Sequence, residues 1–102
     1  MKINMYVIYD VKAKFYNKPF YMQNDSIAIR AFNDLANDPQ TDVFKHPTDF
    51  ILFNIGVYDD ETASIEAHDP LVLARAHELK EEAPTVSENV QTTLNQIKEN
   101  DL

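Results

Sequence analysis

The chain has no cysteine, which excludes a disulfide framework, a thiolate zinc site and a thiol nucleophile. That absence fits a reducing cytoplasm. Glycine is nearly absent too: Gly56 stands alone, so no glycine-rich loop can cradle a phosphate. No apolar run approaches the roughly 18 residues that a membrane-crossing helix needs, and no secretory pattern precedes the first polar break at Asp10. The three histidines, His46, His68 and His77, lie far apart and lack a local metal-binding spacing. Asp59-Asp60-Glu61 lacks the ligand spacing and the glycine of a calcium loop and reads as a solvated turn. Positive charge is scarce, with 9 Lys+Arg against 17 Asp+Glu and a formal net charge of −8. The expectation is a soluble intracellular domain with no catalytic set, no metal, no cofactor and no membrane contact.

What is present is enough for one compact domain: 102 residues, of which 44% are hydrophobic. The charge is unevenly spread. Residues 1–50 are neutral in sum, and the whole excess of acid falls in residues 51–102, which also hold all seven glutamates. The aromatic residues, by contrast, all lie between Tyr6 and Tyr58. Aromatic side chains bury the largest areas, so the core is expected from residues 1 to about 68. Like charges and a proline at Glu81-Glu82-Ala83-Pro84 predict a break. The division expected is an α+β core over residues 1–80 and an acidic, amphipathic helical tail over residues 81–102.

Residues 3–11 alternate as a strand should, with Ile3, Met5, Val7, Tyr9 and Val11 on one face and Asn4, Tyr6, Ile8 and Asp10 on the other. Lys12 to Lys18 reads as a connection with Asn17 near its tip, followed by a short edge strand from Phe20 to Gln23. Asn24-Asp25-Ser26 offers N-cap residues for a helix running to about Asn37. Ala28, Ala31, Phe32 and Leu35 would line its apolar side, widened by Ile27. Residues 39–49 read as a long loop. Phe50 to Tyr58 reads as a strand buried on both faces, and Gly56 within it signals a bulge or a close backbone approach. After a turn at 59–62, Ala63 to His68 is expected to return as a strand with Ile65 and Ala67 inward. Asp69-Pro70 looks like a cap and first position of a helix over Leu71–Lys80. Thr85-Val86-Ser87-Glu88 is a capping box for a last helix with the stripe Val86, Val90, Leu94 and Ile97. The fold class expected is therefore a small antiparallel sheet of three or four strands covered by one helix, with a C-terminal helical extension.

Two groups of residues are candidates for contact. Residues 1–23 hold four lysines against Asp10 alone, with Phe15, Tyr16, Phe20 and Tyr21 interleaved. Single-strand binders combine cations along the backbone with aromatic platforms for the bases. Lys12, Lys14, Tyr16 and Lys18 are thus candidate nucleic-acid contacts, and Arg30 could add a bidentate phosphate contact. The alternative is a hairpin whose aromatics are core and whose lysines protect an edge, and the net acidity favours it because an acidic chain repels nucleic acid at long range. The second group is a partner surface. Phe44 and His46 in the long loop are candidates for it, as is the stripe Val86, Val90, Leu94 and Ile97, through which the chain could form a homodimer against the repulsion of its own charge.

The ordered set Tyr9-Asp10-x-Lys12, Pro19-Phe20, Ala28-Ile29-Arg30-Ala31-Phe32-x-Asp34, Asn37-Asp38-Pro39, His46-Pro47-x-Asp49 and Leu52-Phe53 to Gly56-x-Tyr58-Asp59 resembles the small nonstructural protein of gokushoviruses, members of the Microviridae. The resemblance covers roughly residues 5–60. It implies a non-enzymatic viral protein of the bacterial host cytoplasm, outside the major virion components, that supports single-stranded DNA synthesis or genome packaging. Its partner would be single-stranded DNA or the viral replication complex. The rival reading is an acidic adaptor that engages a basic viral or host protein without touching DNA.

Overall fold

A computed structural model of the chain describes residues 1–81. The expected tail helix, with Val86, Val90, Leu94 and Ile97, lies outside the described residues. The α+β class and the antiparallel sheet are present, with five strands. Strand β1 (Lys2–Asp10) forms where expected, and Met5, Tyr6 and Val7 at its centre are all buried, so burial there does not alternate. On one side it pairs with two short strands, β2 (Phe15–Tyr16) and β3 (Phe20–Met22). On the other it pairs with β4 (Phe50–Asp59), which in turn pairs with the edge strand β5 (Ser64–Arg75). β1 and β4 are therefore hydrogen-bonded on both sides.

One helix layer covers the sheet. In α1 (Asp25–Ala36), the Asn24 side chain caps the first turn by accepting from the Ile27 N–H at 2.9 Å. The helix presses Ala28, Phe32 and Ala36 against Tyr6 and Leu52, and Val43, Ala74 and Ala76 complete the core. Burying a side chain such as Phe32 or Leu52 contributes about 1.5–3 kcal/mol each. Between α1 and β4 the chain is less of a loop than residues 39–49 suggested. It forms α2 (Asp42–Lys45), capped by the Thr41 hydroxyl, and a 3₁₀ turn at Pro47–Asp49.

Four expectations are corrected. Leu71–Lys80 is not a helix: β5 runs through Asp69-Pro70 to Arg75, and only α3 (Ala76–Leu79) is helical. Leu71 and Val72 pair with Asn54 and Phe53, Leu73 is left over at one register break, and the missing N–H of Pro70 is tolerated because it falls in a second break of this edge strand. Ile65 and Ala67 are exposed rather than inward, because no second layer covers that part of the sheet among the described residues. Ile27 is exposed on the flank of α1. The Lys12–Lys18 connection contains β2, and Asn17 is no tip: its side chain accepts from the Ile8 N–H at 2.7 Å and its own N–H donates to the Ile8 carbonyl at 2.9 Å.

Helix and sheet are joined by a polar node. The Tyr6 hydroxyl donates to Asp25 Oδ1 at 2.8 Å, and Asn54 Nδ2 donates to the same oxygen at 3.0 Å. Asn54 Oδ1 accepts from the Gly56 N–H at 3.0 Å. Gly56 is the second half of a β-bulge: Met5 pairs with Gly56 but Tyr6 with Asn54, leaving Ile55 as the extra residue. Its φ of +156° is one that residues with a side chain rarely adopt. A Cβ there would also collide with the Glu66 carbonyl oxygen and lie 3.1 Å from Ala67 Cα. The expected close approach is therefore real.

Two outcomes follow for the node. Gly56→Val should lower stability by about 1–3 kcal/mol, read as a shifted urea midpoint; an unchanged midpoint would contradict the collision. Burial and the bond to Asp25 push the Tyr6 phenol up to about 12. The fold favours the neutral phenol, so its contribution is complete below the ordinary value of about 10 and is lost as pH rises through about 12. An alkaline titration followed by phenolate absorbance should show a late step near 12 that is missing in Tyr6→Phe; a late step retained in that variant would assign it elsewhere.

Candidate nucleic-acid interface

The lysine-rich hairpin is built from Asp10 outward. Asp10 Oδ1 accepts from the N–H groups of Lys12 at 3.0 Å and Ala13 at 3.1 Å, and the Asp10 carbonyl accepts from Lys14 at 2.7 Å. That turn puts Lys14 in the left-handed region, with φ of 62°. Phe15 then pairs with Asp10, and Tyr16 with Tyr9. Side chains of paired residues share a face and neighbours alternate, so Phe15 falls on the α1 side of the sheet and Tyr16 on the opposite side. Both rings stay accessible, Phe15 at 56% and Tyr16 at 47%. Tyr16 is held by Tyr9 and Phe53, at centroid distances of 4.5 and 5.9 Å. Lys18 follows in the exposed link to β3.

The candidate cations are not all brought together. Lys14 and Lys18 flank the two rings, and no ion pair engages them among the described residues. Lys12 instead lines a cleft of about 320 Å³ with Asp10, Asp42, His46, Asp49 and Phe50, so acid surrounds it. Arg30 is exposed on the outer side of α1, away from Ala28, Phe32 and Ala36. Helix and sheet thus separate it from Tyr16.

Charge is segregated along the sheet. β4 starts beside the hairpin, where Phe50 pairs with Asp10, and ends at Asp59, next to the acidic turn. Ten residues of strand span roughly 30 Å, several times the Debye length of about 8 Å at physiological salt. The Asp59-Asp60-Glu61 turn is therefore screened from Lys14 and Lys18. The Asp59 carboxyl is held below its ordinary value, chiefly by the backbone N–H of Glu61.

Phe44 and His46 have intramolecular work. Lys80 Nζ lies 4.0 Å from the Phe44 ring centroid and donates to the Phe44 carbonyl at 3.1 Å. The Asn37 amide fastens the same segment, donating to the Leu79 carbonyl at 3.2 Å and accepting from the Glu81 N–H at 2.7 Å. His46 remains exposed, and its backbone links α2 to the 3₁₀ turn. Val86, Val90, Leu94 and Ile97 lie outside the described residues. Among the described residues no group of three or more His, Asp or Glu side chains could hold a metal ion, and no helix is long and apolar enough to cross a membrane.

The sheet face away from α1 enters the sequence reading only as one side of the alternation in residues 3–11 and as one face of Phe50–Tyr58, a strand expected to be buried on both. Register places Ile3, Met5, Tyr9, Tyr21, Phe53 and Tyr58 on it. The signal was available, since Ile3, Met5, Val7 and Tyr9 form the more apolar alternation of β1, yet α1 packs on the other one.

A family model described as Phage ORF5 protein matches residues 3–79. No curated protein and no solved structure matches the chain.

Proposed function

The chain belongs to the Phage ORF5 protein family, and from that premise we propose that it is a non-enzymatic phage factor that contacts single-stranded DNA during synthesis or packaging of a single-stranded genome. The resemblance to the gokushovirus protein supports a single-stranded genome. The observation that carries the reading is the pair of exposed rings, Phe15 and Tyr16, set between Lys14 and Lys18 in a stretch, Val11–Pro19, that contains no acid. Bases stack on such rings for roughly 1–3 kcal/mol each while the lysines take phosphates. The rings point to opposite sides of a two-residue edge strand, which suits a flexible single strand and not a stacked duplex.

A second reading rests on the acid concentrated in residues 51–102 and gathered at the far turn, Asp59-Asp60-Glu61. In it the chain is an adaptor for a basic viral or host protein.

A titration with single- and double-stranded DNA at two salt concentrations separates the two. Lys14→Glu/Lys18→Glu should abolish single-strand binding with an unchanged circular dichroism spectrum. If each lysine neutralises one phosphate, removing both by alanine should flatten the slope of log K against log salt by about 1.4. Lys12→Glu, placed in the acidic cleft, should matter less. Native protein that binds no DNA supports the adaptor, and a double variant that binds as before removes the hairpin from the site.

A further inference from the structure

We infer that the sheet face opposite α1 is the contact surface for a second copy of this chain, packed face to face with strands running in opposite directions. α1 and its neighbours bury one side of the sheet; on the other, Met5 and Val7 are buried at the centre, and among the described residues no helix or second sheet lies over the side chains around them. Register places Ile65, Val72 and Arg75 of β5 on this side, facing Tyr58, Phe53 and Ile51 of β4. Ile65 and Val72 are 57% and 50% exposed. Tyr21 meets Tyr58 at 5.8 Å and Tyr16 meets Phe53 at 5.9 Å, so the aromatic and aliphatic side chains form one continuous surface. Monomeric soluble proteins rarely leave such a patch open.

The chemistry of the face selects the occupant. Arg75 is its single cation among the residues in register, too few for a phosphate backbone, and no carboxylate in register stands on it to receive a basic partner. An apolar face of matching composition suits it, and another copy offers one. Two sheets stacked about 10 Å apart in this way form a sandwich. Nine residues at roughly 3.3 Å and four strand positions at about 4.8 Å give a face on the order of 550 Å². Two such faces approach the roughly 1,200 Å² at the lower bound of standard stable interfaces.

Charge sets the direction. Arg75 stands at the end of β5 that adjoins Ile51, while the turn joining β4 to β5 carries Asp59, Asp60 and Glu61 at the opposite end. With strands reversed, β5 lies over β5 and each Arg75 faces the partner's acidic turn. With strands parallel, Arg75 would lie over the lysine hairpin. The reversed arrangement sets the partner's acidic turn at least two strand spacings, roughly 10 Å, from Lys14 and Lys18 on the β2 margin, about one Debye length at physiological salt.

The test is sedimentation of the full chain across a concentration series. The native protein should be a dimer. Ile65→Lys/Val72→Lys, altering two exposed side chains, should be a monomer with an unchanged circular dichroism spectrum and the urea midpoint of native protein diluted below its dissociation constant. Arg75→Glu should raise the dimer dissociation constant at least tenfold at low salt. A native monomer at 100 µM overturns the inference, as does a dimer that survives the double lysine variant, which would place the contact elsewhere. Tighter association of Arg75→Glu would overturn the reversed direction. DNA binding does not enter this readout, so the dimer and the hairpin site can fail separately.

Discussion

One carboxylate oxygen sets where the single helix lies. Asp25 Oδ1 accepts from Tyr6 on β1 and from Asn54 on β4, and Asn54 in turn receives the Gly56 N–H at the bulge. The first turn of α1 is thereby placed over the irregularity in the central strand pair. Tyr6 is fully buried, so its hydroxyl must find an acceptor there or lose the solvation that water gave it. Asp25 suits this role because it also stands in the first turn of the helix, where a negative charge complements the unpaired N–H groups.

The other end of α1 is fixed by different chemistry. Asn37 binds the backbone of Leu79 and Glu81, and Lys80 spans to Phe44. A helix of twelve residues is about 18 Å long, and with both ends fixed it covers only the middle of the sheet. The cover reaches Tyr6, Leu52 and Ala74 and stops short of the β4–β5 arm, where residues 64–72 are exposed. The free edge of β5 is nonetheless a poor template for further strands. Pro70 and two register breaks interrupt it, the devices by which edge strands avoid pairing.

The sequence made β1, α1 and the bulge legible because each rests on local rules. Alternation marks β1, Asn24 caps α1, and a lone glycine inside an apolar run marks a place where a side chain does not fit. Asp69-Pro70 misled for the same reason. The pair is a good helix start by local preference, but Leu71, Val72 and Ala74 gain more by pairing with β4, and an edge position removes the penalty of proline. Ile65 was misplaced because alternation shows that two faces exist without showing which one is covered. The candidate site was half legible. The order Lys14-Phe15-Tyr16-x-Lys18 is local and survives folding as one exposed group. The surroundings of Lys12 and Arg30 are long-range facts: one is hemmed by Asp42 and Asp49 from a distant segment, and the other is turned outward by the packing of Ala28 and Phe32.

The two surfaces of this chain follow from the same economy of layers. A sheet with apolar residues on both sides and one helix to cover it must present the second side to something, and among the residues in register that side carries Arg75 as its one charge. The lysine hairpin differs in kind, being narrow and placed at the margin by the Asp10 turn; in a paired sheet its Tyr16 stands at the edge of the covered face, so Phe15, on the α1 side, is the ring left to the bases. In a reversed pair of sheets the two hairpins would stand at opposite ends, separated by about the roughly 30 Å length of the strands. A single strand long enough to reach both would bind the second hairpin as an intramolecular event, so its avidity could exceed that of either hairpin without any new contact. On the proposed reading, association would offer one strand two hairpins while doubling the net charge of −8 per chain, so the gain would rest on keeping both hairpins about a Debye length or more from acid.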